Sequence, residues 1–95
     1  MFVVSLTYQK PLEEVEVHIA AHREFLDRNC AAGIFLASGP KNPRIGGVVL
    51  ASSKVSREQL DTLLAEDPFH TYELAQYEVT EFTPSKFAQP LEGIL

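Results

Sequence analysis

His22 is the residue whose type and position most invite chemistry. Between Pro11 and Gly33 the apolar residues Val15, Ile19 and Leu26 recur at helical spacing with Phe25 on the same side, and His22 takes the slot three after Ile19 and four before Leu26. An imidazole there replaces a hydrophobe on the face that turns toward a core. Burial strips a histidine of hydration and favours its neutral form, whereas a carboxylate at one ring nitrogen fixes the tautomer and restores basicity at the other. Asp67, directly before Pro68, is the leading partner, because it stands where a later helical segment ends. The chemistry implied is proton transfer, with His22 as general base or acid and Asp67 orienting it. In the competing reading Asp67 only caps the turn at Pro68 and His22 only fills core space.

Candidate substrate contacts surround this pair. Ser38, Gly39 and Pro40 close a strand, where a hydroxyl and backbone N–H groups can meet a ligand oxygen, although such a cluster commonly makes only a turn. Arg44 offers a guanidinium to an anionic group. Phe69 and His70 follow the turn that Asp67 caps and complete the substrate-binding set. Gly46 and Gly47 inside a strand point to a bulge or to a close backbone approach, the bulge being favoured. His18 lies four residues before His22, so a metal sphere with His70 and Asp67 is the alternative. No acidic residue lies between the two helical histidines, as the zinc-protease helix requires, and no metal or other cofactor is expected. Tyr8, Tyr72 and Tyr77 could line a pocket with their rings, but each stands where a core or a sheet edge accepts an aromatic anyway. Cys30 continues the helical stripe and is expected to be buried and inert.

These side chains need elements to hold them. Phe2, Val4, Leu6 and Tyr8 alternate with Val3, Ser5 and Thr7, which predicts a first strand. Pro11 suits a helix start, Glu13 and Glu14 favour its positive end, and Gly33 is a natural C-terminal cap, so one long helix is expected between them. Ile34–Ser38 and Ile45–Ala51 form a hairpin around the Gly39, Pro40, Asn42 and Pro43 cluster. Ser56 and Gln59 have capping-box spacing, with Val55 and Leu60 as the hydrophobic staple of a second helix. Leu60, Leu63 and Leu64 supply its buried face. Tyr77–Phe82 is the last strand. The order strand, helix, strand, strand, helix, strand predicts an α+β ferredoxin-like βαββαβ domain, an antiparallel sheet with two helices on one face. Residues 1–83 form that domain and 84–95 a C-terminal tail. Val3, Ser5, Thr7, Val49 and Val79 are assigned to the second sheet face, too apolar a mixture to leave in water, so a homodimer with sheets face to face is expected.

Composition narrows the function classes. The 95 residues allow one domain, and 8 Lys plus Arg against 13 Asp plus Glu give a net charge of −5. The basic residues are scattered and the third strand lacks aromatics for base stacking, so no nucleic-acid partner is expected. No apolar run approaches the roughly 20 residues of a membrane span, and Met1–Thr7 lacks the flanks of a signal peptide, so a cytoplasmic protein without a membrane partner is expected. One cysteine excludes an intrachain disulfide.

His22 with Phe25 and Leu26, Gly33, Ser38–Gly39–Pro40, Gly46–Gly47 and Asp67–Pro68–Phe69 together resemble the YciI-like (YCII-related) family from Phe2 to about Phe82. That resemblance implies a dimeric ferredoxin-like α/β barrel and an active site built on a His and Asp pair, here His22 and Asp67, with a nearby Ser matching Ser38. One branch of the family looks like cofactor-free dehydrochlorinases of chlorinated hydroxyhydroquinones. The resulting expectation is a cofactor-independent enzyme acting on a small phenolic or enolic substrate. The alternative is a non-catalytic dimeric module that binds a small aromatic or acidic metabolite. Arg44, His70, His18 and the segment after Pro84 depart from the shared pattern.

Overall fold

A computed structural model describes residues 1–95. The strands are β1 (Phe2–Tyr8), β2 (Phe35–Pro40), β3 (Gly46–Ala51) and β4 (Ala75–Glu81). They form one antiparallel sheet in the order β2-β3-β1-β4. The helices are α1 (Leu12–Val17), α2 (Ile19–Ala31), α3 (Arg57–Leu64) and α4 (Pro68–Thr71). This is the ferredoxin-like plan that the alternation of strand and helix signals predicts. No helix is long and apolar enough to cross a membrane.

The core lies between the sheet and the helices. Phe2, Val4 and Leu6 of β1 alternate inward and pack with Phe35, Val49 and Ala51 of neighbouring strands, against Val15, Phe25, Leu60, Leu64 and Phe69. The capping box at the start of α3 forms: Gln59 N–H donates to Ser56 Oγ at 3.1 Å, and Ser56 N–H donates to Gln59 Oε1 at 2.8 Å. Two orphan amides at a helix end are thereby satisfied by the side chains that the spacing indicates.

Three expectations need correction. The long helix is divided at His18, whose φ of −109° ends α1 and starts α2. The His18 ring stacks on Tyr72 with centroids 4.0 Å apart, so a tertiary contact holds the corner where no Gly or Pro marks it. The buried stripe of α2 is then His22, Phe25 and Asn29, with Asn29 Nδ2 donating to Phe25 O at 2.8 Å. Cys30, one residue further round the helix, is exposed. Finally, Val49 and Val79 both pair with Val4 and face the helices, so they do not belong to the uncovered face. That face carries half-buried Val3, Val48 and Leu50 beside Ser5 and exposed Ala37. Val48, Val49 and Leu50 form a continuous apolar run, in which alternation gives no parity.

Candidate active site

The site begins at the N-terminus of α4, the shortest of the α-helices. Asp67 is the N-cap of α4, and its Oδ1 accepts the Phe69 N–H at 3.0 Å. Pro68 at the first helical position presets the turn. The same Oδ1 lies 2.8 Å from His22 Nδ1 on α2. Cap and His–Asp pair, the two competing readings of Asp67, are therefore both present. Asp67 is 1% exposed and His22 9%. The Phe69 ring, which the cap also positions, lies flat on the imidazole, with centroids 3.8 Å apart and planes 4° from parallel. Stacking on one side and a carboxylate at one nitrogen leave the ring little rotational freedom.

His22 has one nitrogen left for chemistry. The carboxylate already receives a backbone N–H and acts as the acceptor, so Nδ1 is the donor of this contact and Nε2 is left free of it. No buried side-chain nitrogen or oxygen lacks a partner, and His22 lines a cavity of about 320 Å³. Nε2 is thus the ring nitrogen that has no hydrogen-bond partner within the protein.

The cavity lies between α2 and the inner edge of the sheet. Ser38, Gly39, Pro40, Arg44 and Phe69 line it together with His22, and Asp67 stands behind the imidazole. Ile19, Leu26, Leu6 and Val49 give it an apolar floor, and Cys30 reaches its wall. Ser38 pairs across the ladder with Val49 and so shares the helix-facing side of the sheet. His70 is not brought to the cavity. It is exposed, with its ring edge-on to Tyr77 at 5.7 Å. Adjacent residues on a helix are about 100° apart, and Phe69 already takes the inward direction. His18, His70, Asp67 and His22 do not gather as a group suited to a metal ion.

Arg44 sits in the β2–β3 hairpin and meets Glu16 of α1 through Nη1 and Oε1 at 2.5 Å. Hydrogen bonding to Glu16 first, and to Tyr8 next, raises its pKa above the ordinary arginine value. A permanent cation therefore stands at the cavity, held by a half-exposed pair of the kind that exchanges partners at little cost. Gly46 supports this wall. A Cβ there would collide with the backbone carbonyl of Leu6, so the glycine marks a close strand approach, and the ladder irregularity lies elsewhere, between Phe35 and Ala37.

Tyr77 is the member of the site that the sequence hides. It faces the helices from β4, opposite Leu6, and its hydroxyl donates to Asp67 Oδ2 at 2.6 Å. The inward alternation of Ala75, Tyr77 and Val79 is readable, and a phenol on that face needs an acceptor, but nothing local names Asp67. Burial pushes the Tyr77 pKa far above its ordinary 10.0, and the Asp67 charge and hydrogen bond act in the same direction. In the unfolded chain this phenol ionises near 10, whereas in the fold it keeps its proton. Its contribution to stability is whole below pH 10 and is lost as pH rises beyond it, by about 1.4 kcal/mol per pH unit. Urea midpoints measured from pH 9 to 11.5 should fall more steeply for the wild type than for Tyr77→Phe. Equal slopes would contradict this burial.

The family model of the YCII-related domain matches residues 1–83. The chain belongs to the YCII-related family. No curated protein matches it. Among solved structures, this YCII-related chain is similar to 5-chloro-2-hydroxyhydroquinone dehydrochlorinase from Burkholderia phenoliruptrix, determined in complex with 2,5-dihydroxybenzoquinone. The two share 18% identity, with a TM-score of 0.69 over 87% of this chain and 94% of the other. At that identity the likeness establishes the fold.

Proposed function

We propose that this YCII-related protein is a cofactor-independent enzyme that moves a proton on a small phenolic or enolic substrate, with dehydrochlorination as the leading reaction. One observation carries the reading: His22 lines a cavity while its Nδ1 is held by a buried carboxylate, which leaves Nε2 as the ring nitrogen without a protein partner. In the forward direction Nε2 accepts the proton of a substrate hydroxyl. The electron pair of the broken O–H bond moves into the conjugated system. Where chlorine sits on a saturated carbon of the keto tautomer, that pair expels it as chloride. Asp67 steadies the imidazolium that forms. Arg44 and Ser38 line the same cavity, and in this reading their guanidinium and hydroxyl receive the substrate's other oxygens while the face of Phe69 backs the imidazole. The dehydrochlorinase fold likeness supports the same choice of substrate.

The experiment is chloride release from a chlorinated hydroxyhydroquinone, followed together with the absorbance of the quinone product. Release that depends on both protein and substrate is expected. Saturable binding without release would leave a binding module in place of an enzyme.

The same reading includes a homodimer and a cytoplasmic setting. Val3, Val48 and Leu50 form an apolar strip on the sheet face opposite the helices, and a second copy of that face is its natural cover. Light scattering should give twice the mass of one chain, and Leu50→Glu should return it to one. A wild type that scatters as a single chain removes the dimer.

A further inference from the structure

Both oxygens of Asp67 are engaged, but the two engagements differ. Oδ1 alone serves the cap and the imidazole, accepting from Phe69 N–H at 3.0 Å and from His22 Nδ1 at 2.8 Å. Oδ2 serves neither and accepts only the Tyr77 hydroxyl, at 2.6 Å. A carboxylate held at one oxygen can still turn about its last bond, because that torsion has broad wells. The turn would tilt the Oδ1 lone pairs away from the imidazole. Tyr77 blocks it from a separate element, since β4 is fixed by pairing to β1.

We propose that Tyr77 is a positioning residue: its hydroxyl locks the rotation of the Asp67 carboxylate and so holds His22 in the tautomer whose Nε2 accepts the substrate proton. This role rests on the reading of His22 as the proton acceptor. The donor type fits the task. A Lys or Arg at this place would hold the carboxylate equally well but would oppose the positive charge that His22 acquires during turnover. A phenol donates while remaining neutral, and its burial keeps it protonated. Other ionisable groups line the same cavity, Arg23, Asp27 and Cys30 on α2, Tyr8 on β1 and Arg44 on the hairpin, and His70 on α4 meets the Tyr77 ring. None of them hydrogen-bonds the Asp67 carboxylate.

The test is Tyr77→Phe, which keeps the ring and removes the donor. Nitrogen NMR of histidine-labelled protein in alkaline buffer reads which ring nitrogen carries the proton, and needs no substrate. The wild type should show His22 as the Nδ1–H tautomer, and the variant a mixture of both. With a turned-over substrate, kcat should fall about tenfold with KM little changed, as expected when a group acts only on the reacting geometry. A merely structural tyrosine would lower the melting temperature and leave the tautomer alone; an unchanged tautomer population overturns the proposal. Should the variant not fold, 3-fluorotyrosine at position 77 alone preserves the packing and donates more strongly. It should move the His22 Nδ1–H resonance, and an unmoved resonance counts equally against the role. A tautomer shift in a protein with no turnover would uphold the positioning and remove only the enzymatic reading.

Discussion

The His22→Asn variant is expected to lose turnover by about 10²- to 10⁴-fold while remaining folded. Asparagine is the informative replacement because its amide nitrogen falls close to where Nδ1 stood. It can still donate to Asp67 Oδ1, so the buried carboxylate keeps its three donors. What disappears is Nε2, the nitrogen proposed to take the substrate proton. The cost in stability is chiefly the stack on Phe69, about 1 kcal/mol for an aromatic pair. Steady-state kinetics and thermal unfolding on the same preparation separate the two effects. Activity within threefold of the wild type would be incompatible with proton transfer at His22, however the substrate is held. A loss accompanied by collapse of the fold would show that the imidazole matters first as packing.

The parts of this site that were legible in the sequence share a property: each is a local violation of pattern. A histidine in an apolar helical stripe and an aspartate immediately before Pro68 both stand out within a few residues of chain. Their union across 45 positions was an inference from two helices sharing one sheet face, and the 2.8 Å contact has that origin. Tyr77 violated nothing, since an inward tyrosine on a strand fits a core; only the fold shows that its hydroxyl meets Asp67 Oδ2. Glu16 was equally silent, because an acidic residue on an exposed helix face reads as solvated until the hairpin brings Arg44 to it.

The misplacements have a common cause in rotation and parity. Dividing the helix at His18 turns α2 so that Asn29 takes the buried position assigned to Cys30. In β3 the apolar run around Val49 hides which residue points inward, and a shift of one residue exchanges the two faces. His70 next to Phe69 reads in the sequence as a second contact, but a four-residue helix has one inward direction, and Phe69 occupies it. The Cys30 and Val49 misplacements are each one residue in size and leave the strand order intact. The architecture was therefore more robust than the identity of the residues on each surface.

Gly46→Ala carries the largest expected stability effect, and its sign is opposite to what backbone entropy alone would give. Replacing glycine by alanine at a compatible position stabilises by about 0.4–1 kcal/mol through the unfolded chain. Gly46 does not have the left-handed conformation that Gly33 adopts at φ +73°, so its φ does not explain its identity. The obstacle is steric: the added methyl would enter the space of the Leu6 carbonyl, and the nearest atoms are backbone, which no rotamer change can move. Relief requires β1 and β3 to separate where Thr7 pairs with Gly46. A cost of about 3 kcal/mol, at the upper end for overpacking, is expected. Gly39 on the neighbouring strand β2 is the matched control, since a Cβ there meets nothing within 4 Å. Gly39→Ala should stay within about 0.5 kcal/mol of the wild type. Both glycines line the cavity, so a shared loss of activity would not separate them, whereas urea midpoints would. Two equal midpoints would mean that the strands yield at Gly46, and that the wall carrying Arg44 and Tyr8 is softer than this close backbone contact implies.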